Sequence, residues 1–259
     1  MKPLRIVSLT CSNTEIVWAL GATMLLVGVD DHSDFPAEVV GKLPRVGPDL
    51  DIDVERVQAL EPDLVLASLT VPGHERVLER LSRAGLPFMA TEPVSVEDVY
   101  DDVLRIGERL GLSARARVVV EELRAELSAN VTPEPGARPA ILVEWWPKPV
   151  IVPGRLSWVT QMLAAAGGRN PLDEPVKSRP ITDEEARALD PDAVVISWCG
   201  VRTEKYKPHV VARRPGWQGM RALENGRIYC VPEAYLGRPG PRIADGVRAF
   251  RAIVADCLR

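Results

Sequence analysis

Along the first third of the chain, short apolar runs alternate with segments of helical period. Ile6 to Leu9 has the length and character of a buried parallel strand. Ser12 to Glu15 fits a capping box, with Ser12 as N-cap and Glu15 at the third helical position. Ile16, Val17, Ala19 and Leu20 give the following helix an apolar face, and Gly21 is a natural stop. Leu25 to Val29 reads as a second strand. Asp53 caps a short helix through Leu60, and the turn Glu61-Pro62-Asp63 leads to a third strand, Leu64 to Ala67. A helix from His74 to Ala84 precedes the strand Phe88 to Thr91. This is the rhythm of a parallel sheet covered by helices.

A long helical region follows, Val96 to Leu110 and Ala114 to Asn130, bent at Gly111-Leu112-Ser113. Its second part is charged and free of internal Gly and Pro, which suits a stiff strut. Thr132 to Gly136 is a terminator and linker. The rhythm then returns. Ala140 to Val143 is a strand and Ser157 to Ala166 a helix ending at Gly167-Gly168. Val194 to Ser197 and Ile228 to Val231 are strands, and Arg242 to Leu258 is the last helix.

The chain also repeats itself. Asp53 to Ser68 aligns without a gap with Thr182 to Ser197, 129 residues later. Each copy is a capped helix, an acid-Pro-Asp turn, a buried strand and a closing Ser. The same offset pairs Glu75 with Glu204. The expected architecture is α/β: two Rossmann-like lobes with central parallel sheets, residues 1–94 and 138–259. Region 95–131 supplies a single long backbone helix between them.

Ligands of open parallel sheets bind beyond the carboxyl ends of the strands. Two such lobes facing each other form a cleft. In lobe one the strand-end loops carry Cys11, Ser12 and Asn13, then His32, then Ser68 and Leu69. In lobe two they carry Trp145 and Trp146, Trp198 and Cys199, and Tyr235, with Trp158 at a helix start.

Composition sharpens this placement. The 259 residues are 46% hydrophobic and 26% charged with net charge −4, the profile of a folded protein that does not bind nucleic acid through its phosphates. Aromatics are scarce, yet Trp (6) outnumbers Tyr (4) and Phe (3). Four of those Trp fall near the strand ends of lobe two, where aromatic faces suit a large, flat ligand. Trp18 and Trp217 read as structural. His32, Cys11 and Cys199 are candidate metal ligands, set against the plainer reading of loop and half-buried residues. Arg155, Arg202 and Arg238 are candidates for ligand carboxylates or phosphates, set against ordinary solvation. No Walker A, G-x-S-x-G, H-E-x-x-H or G-x-G-x-x-G pattern occurs, so neither an enzyme nor a catalytic cofactor is expected.

Several segments together resemble one family. They are Arg5 to Ile16, Ala19-Leu20-Gly21-Ala22, Leu26 to Val29, Asp34-Phe35-Pro36, Leu43 to Gly47 and Glu61 to Leu66. In lobe two, Ala165 to Asn170 and Asp190-Pro191-Asp192 continue the likeness. The chain is similar over nearly its whole length to the vitamin B12 and ferric-siderophore binding proteins of ABC importers. The resemblance implies two lobes on one rigid backbone helix, limited hinge motion, a monomer, and a cobalamin or related corrinoid held in the cleft. Gly237 to Arg242 resembles the cobalamin-binding members, and Arg238 joins the ligand set on that ground. It also implies that Glu75 and Glu204, one per lobe, dock onto arginines of the permease dimer; the plain alternative is two solvated carboxylates. Such a protein works outside the membrane, and a cytoplasmic location stays open because no signal segment is read in the chain. Two alternatives remain: a ferric siderophore or haem as ligand, and a cytoplasmic nitrogenase-like metallocluster protein.

Overall fold

The computed structural model describes residues 3–128 and 138–259, so the linker at 132–136 and the expected helix end at 130 lie outside the described residues. Two compact units are present. The first comprises residues up to Pro93 together with Glu97–Glu122; the second comprises Val94–Val96 and residues from Leu123 onward.

In the first unit the buried run Ile6–Ser8 forms β1, followed by α1 (Cys11–Ala19), β2 (Leu26–Val29), α2 (Ala37–Val40) and α3 (Val54–Ala59). Then come β3 (Leu64–Ser68), α4 (His74–Arg83) and β4 (Phe88–Thr91), followed by α5 (Val96–Arg109), in this unit from Glu97, and α6 (Ser113–Ser128), in this unit to Glu122. The strands pair in parallel in the order β2-β1-β3-β4. Val7, Leu9, Val65 and Ala67 pack with Val46, Ile52, Val57, Val77 and Leu81 in the core. Gly111, at φ +71°, separates α5 from α6. Residues of α6 belong to both units, which change over between Glu122 and Leu123.

The expected capping box at α1 is corrected. Thr10, in extended conformation, is the N-cap, and its carbonyl accepts the Thr14 N–H at 3.1 Å. Ser12 and Glu15 therefore lie inside the helix, and both are buried.

The second unit contains β5 (Ile141–Glu144), β6 (Trp146–Pro147), β7 (Val150–Pro153), α7 (Trp158–Ala165), β8 (Ser178–Ile181) and α8 (Asp183–Leu189). These are followed by β9 (Ala193–Ile196), α9 (Pro208–Ala212), α10 (Arg221–Glu224), β10 (Ile228–Cys230), α11 (Glu233–Leu236) and α12 (Ile243–Cys257). Its parallel sheet runs β10-β9-β5. A second, antiparallel sheet, β6-β7-β8, departs from the expected purely parallel arrangement. Four prolines lie in these short strands and their turn, Pro147, Pro149, Pro153 and Pro180, and they mask the strand pattern because Pro donates nothing to a ladder. Val150, Val152 and Ile181 of this sheet nonetheless join Leu142, Val194, Ile196 and Trp217 in the core.

The repeat is structural down to single bonds. Asp53 caps α3 by accepting the Arg56 N–H, and Thr182 caps α8 in a full capping box with Glu185. Glu61 and Asp190, 129 residues apart, are the non-glycine residues at positive φ (45° and 37°) among the described residues. After each, an Asp clasps the start of the neighbouring strand. Asp63 Oδ2 accepts the Arg5 N–H at 2.8 Å, and Asp192 Oδ2 accepts the Ala140 N–H at 2.7 Å. Helix, turn and strand are thus fastened alike in both units.

Candidate functional site

At the strand ends of the first unit, most of the predicted contact residues are occupied internally. Asn13 is buried, donates to the Ala67 carbonyl at 2.8 Å and accepts from Thr91 Oγ1 at 3.4 Å. It ties α1 to β3 and β4. Ser12 is buried with its hydroxyl 3.4 Å from Thr10 Oγ1, and Cys11 is half-buried. Ser68 is buried against Thr70 and the Thr91 carbonyl. Beside them Asp30 is fully buried and takes hydrogen bonds from Ser33 Oγ and the His32 N–H. Burial pushes its carboxyl above the usual range, and these two bonds oppose the shift.

His32 is exposed, its Nε2 3.7 Å from Asp49 Oδ1, while buried His74 approaches Asp49 Oδ2 at 3.5 Å. The imidazole of His74 holds the Asp49 carboxyl below its ordinary value. Among the described residues no three His, Cys, Asp or Glu side chains come together in a way that could hold a metal ion. Leu69 and Glu75 line one shallow concavity with Leu78, Glu79, Ser82 and Arg83. Glu75 is exposed in the first turn of α4, and its Oε2 accepts the Gly73 N–H at 2.9 Å. Backbone N–H groups at this helix start lower its pKa. Glu204 is exposed in a 3₁₀ turn, Thr203–Lys205.

The second unit gathers its predicted aromatics in two layers. Beyond β5, half-buried Trp145 stacks with Trp158, ring centroids 5.9 Å apart and planes tilted by 33°. Trp158 sits in the first turn of α7 because Ser157 caps that helix, and its Nε1 donates to the Leu236 carbonyl at 2.8 Å. Tyr235, next to Leu236 in α11, is half-buried beneath the Arg242 guanidinium, 4.9 Å from its ring centroid. The Trp145 Nε1 is buried without a hydrogen-bond partner in the protein. The Cys199 N–H donates to the Trp145 carbonyl at 3.0 Å, joining the ends of β5 and β9. The Cys199 residue reaches solvent, but its Sγ lies in desolvated surroundings near Glu233, which push its thiol up to about 12. Arg238 is held by Glu233, Nε to Oε2 at 3.0 Å.

Trp198 lies in the layer below, 7% exposed, with its Nε1 on Glu144 Oε1 at 3.0 Å. Trp146 is 42% exposed and belongs to the antiparallel sheet, its Nε1 on the Lys148 carbonyl. Of the remaining arginines, Arg155 pairs with Asp173 at 3.2 Å, and Arg202 is exposed.

Glu144 and Arg214 form a pair that the sequence pattern does not mark. Fully buried Glu144 accepts a fork from Arg214 at 2.8 and 3.1 Å, and Arg214 lies over the Trp217 ring at 4.1 Å. The available signal was a carboxylate closing an apolar strand; nothing in the pattern joined it to an arginine 70 residues away. Tyr206 is likewise unmarked in the sequence pattern. It is buried, packs against Trp198 with ring centroids 5.6 Å apart and planes inclined by 59°, donates to the Trp198 carbonyl and accepts the Glu233 N–H at 3.1 Å.

With this geometry in view, comparison with known proteins defines the class. The periplasmic binding protein family matches residues 6–235, and the chain belongs to that family. Its members are non-enzymatic substrate-binding proteins of ABC importers. The chain is 31% identical over 95% of its length, and 78% of the relative's, to the uncharacterised ABC transporter substrate-binding lipoprotein YvrC of Bacillus subtilis. It is 26% identical to the vitamin B12-binding protein of Photorhabdus laumondii, covering 93% of this chain and 84% of that one. A periplasmic haem-binding protein from Pseudomonas aeruginosa superposes with TM-score 0.83 at 30% identity, covering 96% and 92% of the two chains. Membership in this family displaces the metallocluster alternative. No described helix is long and apolar enough to cross a membrane.

Proposed function

We propose that this protein captures cobalamin or a related corrinoid and delivers it to an ABC importer, working outside the membrane that carries the permease. The observation that carries this reading is the Trp145–Trp158 ring pair, tied through the Leu236 carbonyl to the helix that carries Tyr235, at the strand ends of the second unit. These half-buried faces offer apolar area to a broad, flat ligand. The vitamin B12-binding relative supports the same ligand class. A haem reading draws on Tyr235 as an iron ligand and on the Pseudomonas aeruginosa neighbour.

Titration with cyanocobalamin and, separately, with haemin distinguishes the two, followed by calorimetry and tryptophan fluorescence. Cyanocobalamin is expected to bind in the micromolar range or tighter, and Trp158→Leu to weaken it by about tenfold with the fold intact. No cyanocobalamin binding at about 50 μM sinks the corrinoid assignment.

The same reading assigns Glu75 and Glu204, equivalent under the repeat and both exposed, to permease docking. The double variant Glu75→Ala/Glu204→Ala is expected to lose uptake in cells while keeping ligand affinity. Undiminished uptake overturns the assignment.

A further inference from the structure

This inference deepens the corrinoid reading and rests on it. We propose that Glu233 sets the ligand class by holding Arg238 in an internal ion pair. The strand-end surface of the second unit then accepts broad ligands with neutral rims and disfavours those with free carboxylates.

The pair is well withdrawn from water. Arg238 Nε donates to Glu233 Oε2 at 3.0 Å, with the side chains 11% and 16% exposed. Glu233 opens α11, the same short helix that carries Tyr235 and the Leu236 carbonyl bound to Trp158. The carboxylate folds back over Gly237. A Cβ there would lie 2.9 Å from Glu233 Oε1 and 3.0 Å from its Cγ, so a side chain at 237 would push the acid off this path.

Arginine is the natural receptor for a ligand carboxylate because its planar fork matches both oxygens. On this loop that capacity is withheld. Arg238 is ion-paired with Glu233, and Arg242 lies over the Tyr235 ring. A carboxylate-bearing ligand must displace Glu233 to reach Arg238, which leaves a second anion in a mostly dry setting. An amide-rimmed ligand meets no such conflict. Selection by making the wrong partner costly is a general route to specificity. Glu233 is thus a positioning residue that acts through Arg238.

The test uses the Glu233→Gln variant and three probes: haemin, haemin dimethyl ester and cyanocobalamin. Gln removes the charge that occupies Arg238 and keeps the shape. Haemin affinity is expected to rise about tenfold, while the diester and cyanocobalamin stay within about threefold of their wild-type values. Adding Arg238→Met to Glu233→Gln is expected to return haemin to its wild-type affinity. Haemin affinity unchanged in Glu233→Gln, or an equal gain for the diester, overturns the proposal. Should Glu233→Gln fail to fold, Arg238→Met alone decides. Haemin affinity within about threefold of wild type supports a withheld arginine, and a clear loss refutes it. Wild-type protein that ignores cyanocobalamin removes the corrinoid reading, yet the contrast between haemin and its diester still reports on Glu233.

Discussion

The Asp102→Asn protein is expected to be more stable than the wild type at neutral and higher pH, and equal to it near pH ~4. Asp102 lies in α5 with its side chain 5% exposed, and Arg105 is 3.2 Å away. Burial raises the carboxyl from 3.8 to about 7; Arg105 opposes the shift, and Asp98 and Asp101 add to it. A raised folded-state pKa means that the native protein keeps a proton which the unfolded chain has released. Stability from this group is complete below the unfolded value of 3.8 and is lost as pH rises through about 7. At about 1.4 kcal/mol per unit, the full shift corresponds to at most about 4 kcal/mol, and local relaxation brings the expected gain to about 2 kcal/mol. Urea unfolding of both proteins across this window measures the difference. A gain that does not grow with pH, or a less stable variant at high pH, rules the account out.

The second large effect is expected at Arg214. Its fork and the Trp198 indole are the partners of a carboxylate with no exposure to water. Arg214→Ala leaves Glu144 charged, buried and short of its counter-ion, which costs about 3–5 kcal/mol. Glu144→Gln in the same background removes the stranded charge and keeps an acceptor for Trp198, so the double variant is expected to recover about 1–2 kcal/mol. The part that is not recovered includes the guanidinium–indole contact with Trp217. A cycle of urea-unfolding free energies separates the two contributions. An Arg214→Ala protein within about 1 kcal/mol of wild type contradicts this description of the pair.

Glu144 also shows why the candidate site was only partly legible. Trp145 and Cys199 lie beyond the ends of β5 and β9, and Trp158 lies at a helix start, because strand order and chain direction fix those places whatever their residues; Tyr235, expected on a loop, lies in the short helix α11. Trp198 had the same sequence credentials and lies a layer lower, drawn down by Glu144 and Tyr206. Trp146 looked like its neighbour and went to the antiparallel sheet, whose strands the prolines disguised. Asn13 looked like a polar contact and instead joins three elements of the first unit.

The amino-acid sequence by itself determined the alternation of strands and helices, the bend at Gly111 and the duplication. All of these rest on neighbours within about a dozen residues or on one exact spacing. Local caps, apolar period and turn residues suffice for them, as the side-chain caps of Asp53 on α3 and Thr182 on α8 illustrate. The tertiary structure alone decided which indoles face outward and that Arg214 and Trp198 both reach Glu144. Whether a polar group is buried, and whether its partner arrives, depends on residues brought together by packing rather than by order along the chain. Those two questions also fix its charge state and its availability to a ligand.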